Sequence, residues 1–172
     1  MSLVGEGGHG ISFPSLNGSA LRIGLIHTRW NAPAVNSLVA GVHSSLAGCD
    51  VLPGNVSVSS VPGAFELPLA AKLLALSGTV DAIICIGVLV KGETMHFEYI
   101  ADAVAKGIMD VNLETKCPTV FGVLTCLDDE QVKKRSEGEN NHGISWGKTA
   151  VEMALLKKST TADKGTGKKI GF

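Results

Sequence analysis

Within five residues, Gly92-Glu93-Thr94-Met95-His96, the chain sets an acid, a hydroxyl and an imidazole where an apolar run gives way to helical periodicity. Free N–H groups at a helix start, joined by a threonine hydroxyl, bind anions. The same residues also make an ordinary cap, with Thr94 closing the first turn. His96 lies in that turn, where the positive helix end favours the neutral ring. A neutral imidazole accepts protons and suits a general base, although a capping or surface histidine is the plainer alternative. Neither GxxxxGK[ST] nor GxGxxG occurs, so nucleoside triphosphates and dinucleotides are poor ligands. His96-Phe97-Glu98 fits the H-x-E of zinc deaminases, but Cys117 precedes Pro118 and no second cysteine follows at the needed spacing.

Three more places carry chemistry. Trp30 sits beside Arg29 and Asn31 in a loop after a strand, where an indole is free to stack on a planar ring. Phe65, in Pro62-Gly63-Ala64-Phe65-Glu66, supplies a second apolar wall or else the hydrophobic start of a core helix. Arg135, next to Lys133 and Lys134, is either a charged fork for phosphate or part of a solvated basic face. His142, in Asn140-Asn141-His142-Gly143, is a further candidate or a turn residue.

These residues need a scaffold, and the remaining sequence describes one. The chain has 172 residues, 45% hydrophobic, enough for a single domain with a sizeable core. A formal net charge of -1 gives no reason to expect nucleic acid or an anionic membrane. No apolar run approaches the roughly 20 residues of a membrane span, and no signal peptide is visible. Four widely spaced cysteines, Cys49, Cys85, Cys117 and Cys126, read as reduced, mostly buried thiols in a cytoplasmic protein. Residues 1–19 read as a flexible arm, 20–158 as one domain and 159–172 as a disordered tail.

Within the domain, apolar runs alternate with helical spacing. Strands are expected at LRIGLIH, VSVSSV (alternating, closed by Pro62-Gly63), VDAIICIGVLV and PTVFGVLTC. Asn31 is expected to cap the first helix, with Pro33 in its first turn and Gly48 at its end. The order β-α-β-α-β-α-β-α-α predicts an α/β/α sandwich on a four-stranded parallel, flavodoxin-like sheet. Ligands bind beyond the carboxyl ends of such strands, and every cluster named above falls on that edge.

Taken together, Trp30-Asn31, VPGAFE at 61–66, GVLVKGETMHF at 87–97, FGVLT at 121–125, Arg135 and NHGxxWGKxA at 141–150 resemble the lumazine synthase family, in its fungal branch. The resemblance runs from about residue 20 to 158. It implies a cofactor-free, metal-free transferase of riboflavin biosynthesis. The reaction joins 5-amino-6-(D-ribitylamino)uracil to 3,4-dihydroxy-2-butanone 4-phosphate, giving 6,7-dimethyl-8-ribityllumazine, phosphate and water. By the same resemblance Trp30 stacks on the pyrimidine, and Ala64, Phe65 and Glu66 line its pocket with the ribityl chain. Val88, Leu89 and Val90 offer main-chain hydrogen bonds. Glu93 and Thr94 hold the phosphate and His96 shuttles protons. Phe121 and Arg135 come from a neighbouring subunit of a homopentamer, Arg135 pairing with phosphate. Two positions depart from many relatives. Trp30 replaces a phenylalanine, which leaves riboflavin open as a further ligand. Glu139 and then His142 stand where some relatives carry a lysine. A flavin-binding protein that has lost catalysis is the rival reading; the intact Glu93, Thr94, His96 and Arg135 speak against it.

Overall fold

The structure, a computed structural model, describes residues 11–162. Residues 1–10 and 163–172, and with them most of the expected arm and tail, lie outside the described part. Four strands, β1 (Ile23–Thr28), β2 (Val56–Val61), β3 (Ala82–Val90) and β4 (Thr119–Cys126), form one all-parallel sheet in the order β2-β1-β3-β4. The helices are α1 (Ala32–Gly48), α2 (Leu67–Leu76), α3 (His96–Thr115), α4 (Asp129–Ser136) and α5 (His142–Ala162). The α/β sandwich expected from the alternating pattern is the one found.

The pattern explains the layers. Central β3 reads AIICIGVLV because helices cover both of its faces, leaving no residue to meet water until Leu89. On one face Leu25, Ile84, Ile86 and Leu124 pack with Val35, Leu38, Val42 and Leu46 of α1 and with Ala150, Val151 and Ala154 of α5. On the other, Ile26, Ile83, Cys85 and Val123 pack with Leu67 and Ala71 of α2 and with Val104, Ile108 and Val111 of α3. Each fully buried Leu or Ile contributes about 1.5–3 kcal/mol. All four cysteines are free and buried, and burial pushes the Cys85 thiol up to about 12. Among the described residues no helix is long and apolar enough to cross a membrane.

Glycine sets the α1/α5 seam. A Cβ on Gly143 would fall on the Leu38 carbonyl oxygen and 3.0 Å from the Val42 nitrogen, and one on Gly147 would meet Ser45. Asn141 locks the seam: its Nδ2 donates to the Ser37 carbonyl at 2.8 Å, and its Oδ1 accepts from Gly143 N at 2.8 Å. The stretch NHGxxWG is therefore largely packing chemistry. Trp146 lies over Gly122 of β4, where a Cβ would approach its ring to 2.9 Å.

Several local expectations need correction. Asn31 does not cap α1 with its side chain; it sits at the N-cap position in the left-handed region (φ 56°) and reaches elsewhere. Gly48 stays within α1, and the left-handed residue beyond the helix is Asp50 (φ 62°). VSVSSV does not alternate in burial: β2 is an edge strand, and Ser57–Ser60 are all exposed. Residues 159–162 continue α5. Near the start of the described chain, Gly18 N donates to the Cys49 carbonyl at 2.6 Å and Leu16 packs on the core.

Candidate functional site

Register builds the rim. β1 pairs with β3 only as far as His27 opposite Ile86, whereas β3 continues to Val90 beside β4. The last residues of β3 thus overhang β1. The Val88 carbonyl accepts from Asn31 Nδ2 at 2.9 Å, on the β1 side, and Lys91 N donates to the Cys126 carbonyl at 2.9 Å, on the β4 side. Successive residues of a strand direct their main-chain groups to alternate sides. Val88 and Val90 therefore turn theirs toward the open side, and Leu89 turns its toward β4. The side chains of Val88 and Val90 pack into the α1/α5 core, so only their main chain is offered to a ligand.

On the β1 side of this overhang an open depression of about 320 Å³ is lined by Arg29, Trp30, Asn31 and Pro62. Trp30 is 74% exposed, its indole edge near Gly63, where an added Cβ would come within 3.4 Å of Cδ1. Phe65 is 60% exposed, which rules out its reading as a core residue; Leu67 takes that place. Ala64 is buried against the α2/α3 core, so its side chain is not available as pocket lining. Glu66 Oε2 accepts from Gly63 N at 2.9 Å and thereby holds the 62–66 turn closed.

At the far end of the overhang, Gly92–Met95 leads into α3, with Glu93, Thr94 and His96 all exposed. No side chain caps α3 from the N-cap residue, Met95. The expected cap by Thr94 amounts to one long contact, its Oγ1 accepting from His96 N at 3.4 Å. Apart from that of Glu98, which bonds its own carboxylate, the first-turn N–H groups thus meet little competition from side chains. Lys91 forms an ion pair with Glu98 and lies 5.9 Å from the Phe97 ring. Hydrogen bonding from Lys91, then from Glu98's own N–H, holds the Glu98 carboxyl below the usual carboxylate range.

Arg135 is in the last turn of α4, where its Nη1 donates to the Gln131 carbonyl at 3.0 Å. It is close enough to His142, the first residue of α5, to act on it: burial first, then the positive charge of Arg135, push the His142 imidazole below its usual range. Trp146 stands edge-on to that ring, 6.0 Å between centroids. His142 is accordingly neutral near pH 7 and offers an N–H rather than a charge. Phe121 does not reach this rim within its own chain. It pairs with Cys85, five residues before the end of β3, which at the usual strand rise is about 16 Å away. It lies on the outermost strand of the sheet, 37% exposed.

Sequence reasoning brought Trp30, the 62–66 turn and the 92–96 loop to one edge, and they stand there. It missed the Asn31 bond to Val88 and the Lys91–Glu98 pair. The charge spacing of seven residues across a strand-to-helix loop was the available signal for the pair.

Comparison with known proteins bears directly on this rim. Residues 20–158 match the family model described as 6,7-dimethyl-8-ribityllumazine synthase. The chain is 42% identical over 187 aligned positions to a protein of that name from Pyricularia oryzae, covering 86% of this chain and 94% of the relative. It is 46% identical over 143 positions to another from Schizosaccharomyces pombe, covering 81% of this chain and 90% of the relative. By these matches the chain belongs to the 6,7-dimethyl-8-ribityllumazine synthase family.

Proposed function

We propose that this transferase works through His96 and without a cofactor, at a site completed by a second copy of the chain. It condenses 5-amino-6-(D-ribitylamino)uracil with 3,4-dihydroxy-2-butanone 4-phosphate to 6,7-dimethyl-8-ribityllumazine, in riboflavin biosynthesis. The observation that carries the detailed reading is the overhang of β3. It offers main-chain groups at Val88 and Val90 to a flat, polar ring, beside Trp30 and Phe65 as apolar walls and short of an anion-binding loop.

The proposed roles are those that the family resemblance implies. Trp30 stacks on the pyrimidine, and Phe65 closes it from the turn that Glu66 holds. The N–H groups of Gly92–His96 and the Thr94 hydroxyl bind the phosphate. The amino group of one substrate attacks the carbonyl of the other to form an imine, with loss of water; the imine then loses phosphate, and attack of the ribitylamino nitrogen on the remaining carbonyl closes the ring with loss of a second water. His96 takes and returns the protons of these steps, contributing about 10²–10⁴ in rate. Holding the two substrates face to face supplies much of the remainder. His142 contributes an N–H to the phosphate.

Support for a shared site comes from what one chain leaves undone. Leu69, Leu73 and Leu76 form an exposed stripe on α2; Tyr99, Met109 and Leu113 are exposed on α3, with the Asp102–Lys106 ion pair between the first and the other two. Contiguous apolar surface of this kind marks an interface. A homopentamer that covers it would bring Phe121 and Arg135 of one copy to the rim of the next, Arg135 pairing with phosphate. Four buried free thiols fit work in the cytoplasm. The exposed indole also suits riboflavin as a second ligand, detectable as quenched flavin fluorescence.

The test is to mix both substrates with the protein and follow the lumazine chromophore while measuring mass in solution. Turnover by a pentamer, slowed by about 10²–10⁴ in His96→Ala, is expected. Unchanged turnover in His96→Ala would sink the role given to this histidine.

A further inference from the structure

Four residues, Gly92–Met95, bridge the end of β3 and the start of α3. Little holds the bridge: His96 N donates to Thr94 Oγ1 and Tyr99 N donates to the Met95 carbonyl, both long contacts at 3.4 Å. A Cβ on Gly92 would meet nothing within 4 Å, so this stretch is not packed against the body. What spans it is the ion pair of Lys91, before the bridge, with Glu98, after it. Both ends are anchored. Lys91 N bonds the Cys126 carbonyl of β4, and Glu98 belongs to the first turn of α3. The second carboxylate oxygen of Glu98 is occluded without a hydrogen-bond partner, although the side chain as a whole is partly exposed.

The pairing raises a question of charge. Lys91 is the cation of the bridge segment, and it is committed to Glu98; Glu93 in the bridge adds a negative charge. A direct role for Lys91 as the phosphate's counter-ion would require breaking the pair. The alternative is that the pair shapes the bridge and leaves the anion to the N–H groups.

We propose that Lys91 and Glu98 are positioning residues, a clip across the β3–α3 bridge that presets its N–H groups and the His96 ring for the phosphorylated substrate. This rests on the reading of the bridge as the phosphate loop. The clip is partly exposed, so it adds little to overall stability. Its value is pre-organisation: each bridge residue left free must be ordered when the anion binds.

The sign of one substitution separates clip from counter-ion. Glu98→Gln removes a negative charge and frees Lys91. A counter-ion role predicts tighter phosphate binding; a clip predicts weaker binding. The measurements are inorganic phosphate affinity by calorimetry, the KM of each substrate, and Tm, for the wild type, Lys91→Met, Glu98→Gln and the swapped pair K91E/E98K. We expect both single variants to bind phosphate about tenfold more weakly. The KM of the phosphorylated substrate should rise alike, that of the ribitylaminouracil should stay within about twofold, and Tm should barely move. The swapped pair should recover most of the loss. Tighter binding in Glu98→Gln overturns the clip, as do equal rises in both KM values with a fallen Tm, or a wild type with no affinity for phosphate. Because phosphate binding is read without turnover, failure of the proposed reaction shows separately, as a wild type that binds the anion yet makes no lumazine.

Discussion

The two faces of the sheet are finished to different degrees. On the α1/α5 face the helices touch through glycine, Asn141 bridges them, and α1 leaves no large apolar side chain exposed. On the α2/α3 face the inner side packs equally well, yet Leu69, Leu73, Leu76, Tyr99, Met109 and Leu113 all face out. The first face still leaves Met153 and Leu156 of α5 42% and 37% exposed, whereas the six on the second are each 55–72% exposed. The rim residues divide the same way. Asn31 and Val88 are tied together within the chain, with Trp30 exposed next to them, whereas Phe121 waits on an outer strand. A single chain therefore carries the half of the rim proposed to bind the ring more completely than the rest.

The sharpest way to break the finished face is Gly143→Val. Its Cβ would land on backbone of α1, which cannot rotate aside as a side chain would. Overpacking of this kind costs about 1–3 kcal/mol or more, a large part of a small domain's stability. Urea unfolding should show the midpoint falling accordingly, with Gly147→Ala falling less because Ser45 Oγ can move. Equal stability in Gly143→Val would mean the seam is looser than it stands here.

The unfinished face is broken differently. Leu73→Glu on α2 should leave the circular dichroism of the protomer intact, since Leu73 is 62% exposed in one chain. Burying its unpaired carboxylate in an interface costs several kcal/mol. Mass in solution should fall to that of a single chain, and turnover should fall at least tenfold with it. Full turnover by a monomer would show that the site needs no second copy.

How far the sequence foretold this difference follows from what each feature depends on. Strand and helix order depend on local periodicity, so AIICIGVLV and the helix at 96–115 were readable. The placement of Trp30 and of 92–96 at one sheet edge was readable because each cluster is short and lies next to an element end. The seam was not, because Gly41 and Asn141 meet across a hundred residues of chain, and a glycine says nothing about what approaches it. Asn31 was misread since one amide serves a helix cap or a cross-strand bond equally well, and only the register of β1 against β3 decides between them. Burial in β2 failed for a simpler reason: alternation predicts a covered face, and an edge strand in one chain lacks the cover.

Within the ring-binding half, Trp30→Ala tests whether the exposed indole works as a wall. Loss of an aromatic pair costs about 0.5–1.5 kcal/mol beyond area, or about 2- to 12-fold in affinity. The KM of the ribitylaminouracil should rise by that factor while the KM of the phosphorylated substrate and the mass in solution hold. Trp30→Phe should recover most of the loss. A change confined to the phosphorylated substrate would place the indole on the wrong half.

The smallest effect belongs to His142, and it has a sign. Burial and the nearby Arg135 depress its folded-state value, so below about pH 6.5 the unfolded chain takes up a proton that the folded chain resists. The unfolded state then binds more protons, and stability falls as pH drops through that range, levelling once the folded ring is also charged. The ring is only half-buried, so the slope is shallow. Between pH 7 and 5, His142→Gln should flatten part of the decline in Tm seen in the wild type, and it should do so whether or not copies are assembled, because Arg135 and His142 approach each other within one chain. A slope that vanished on assembly instead would move the interaction of Arg135 from its own histidine to the neighbouring copy, and with it the boundary between the finished and unfinished halves.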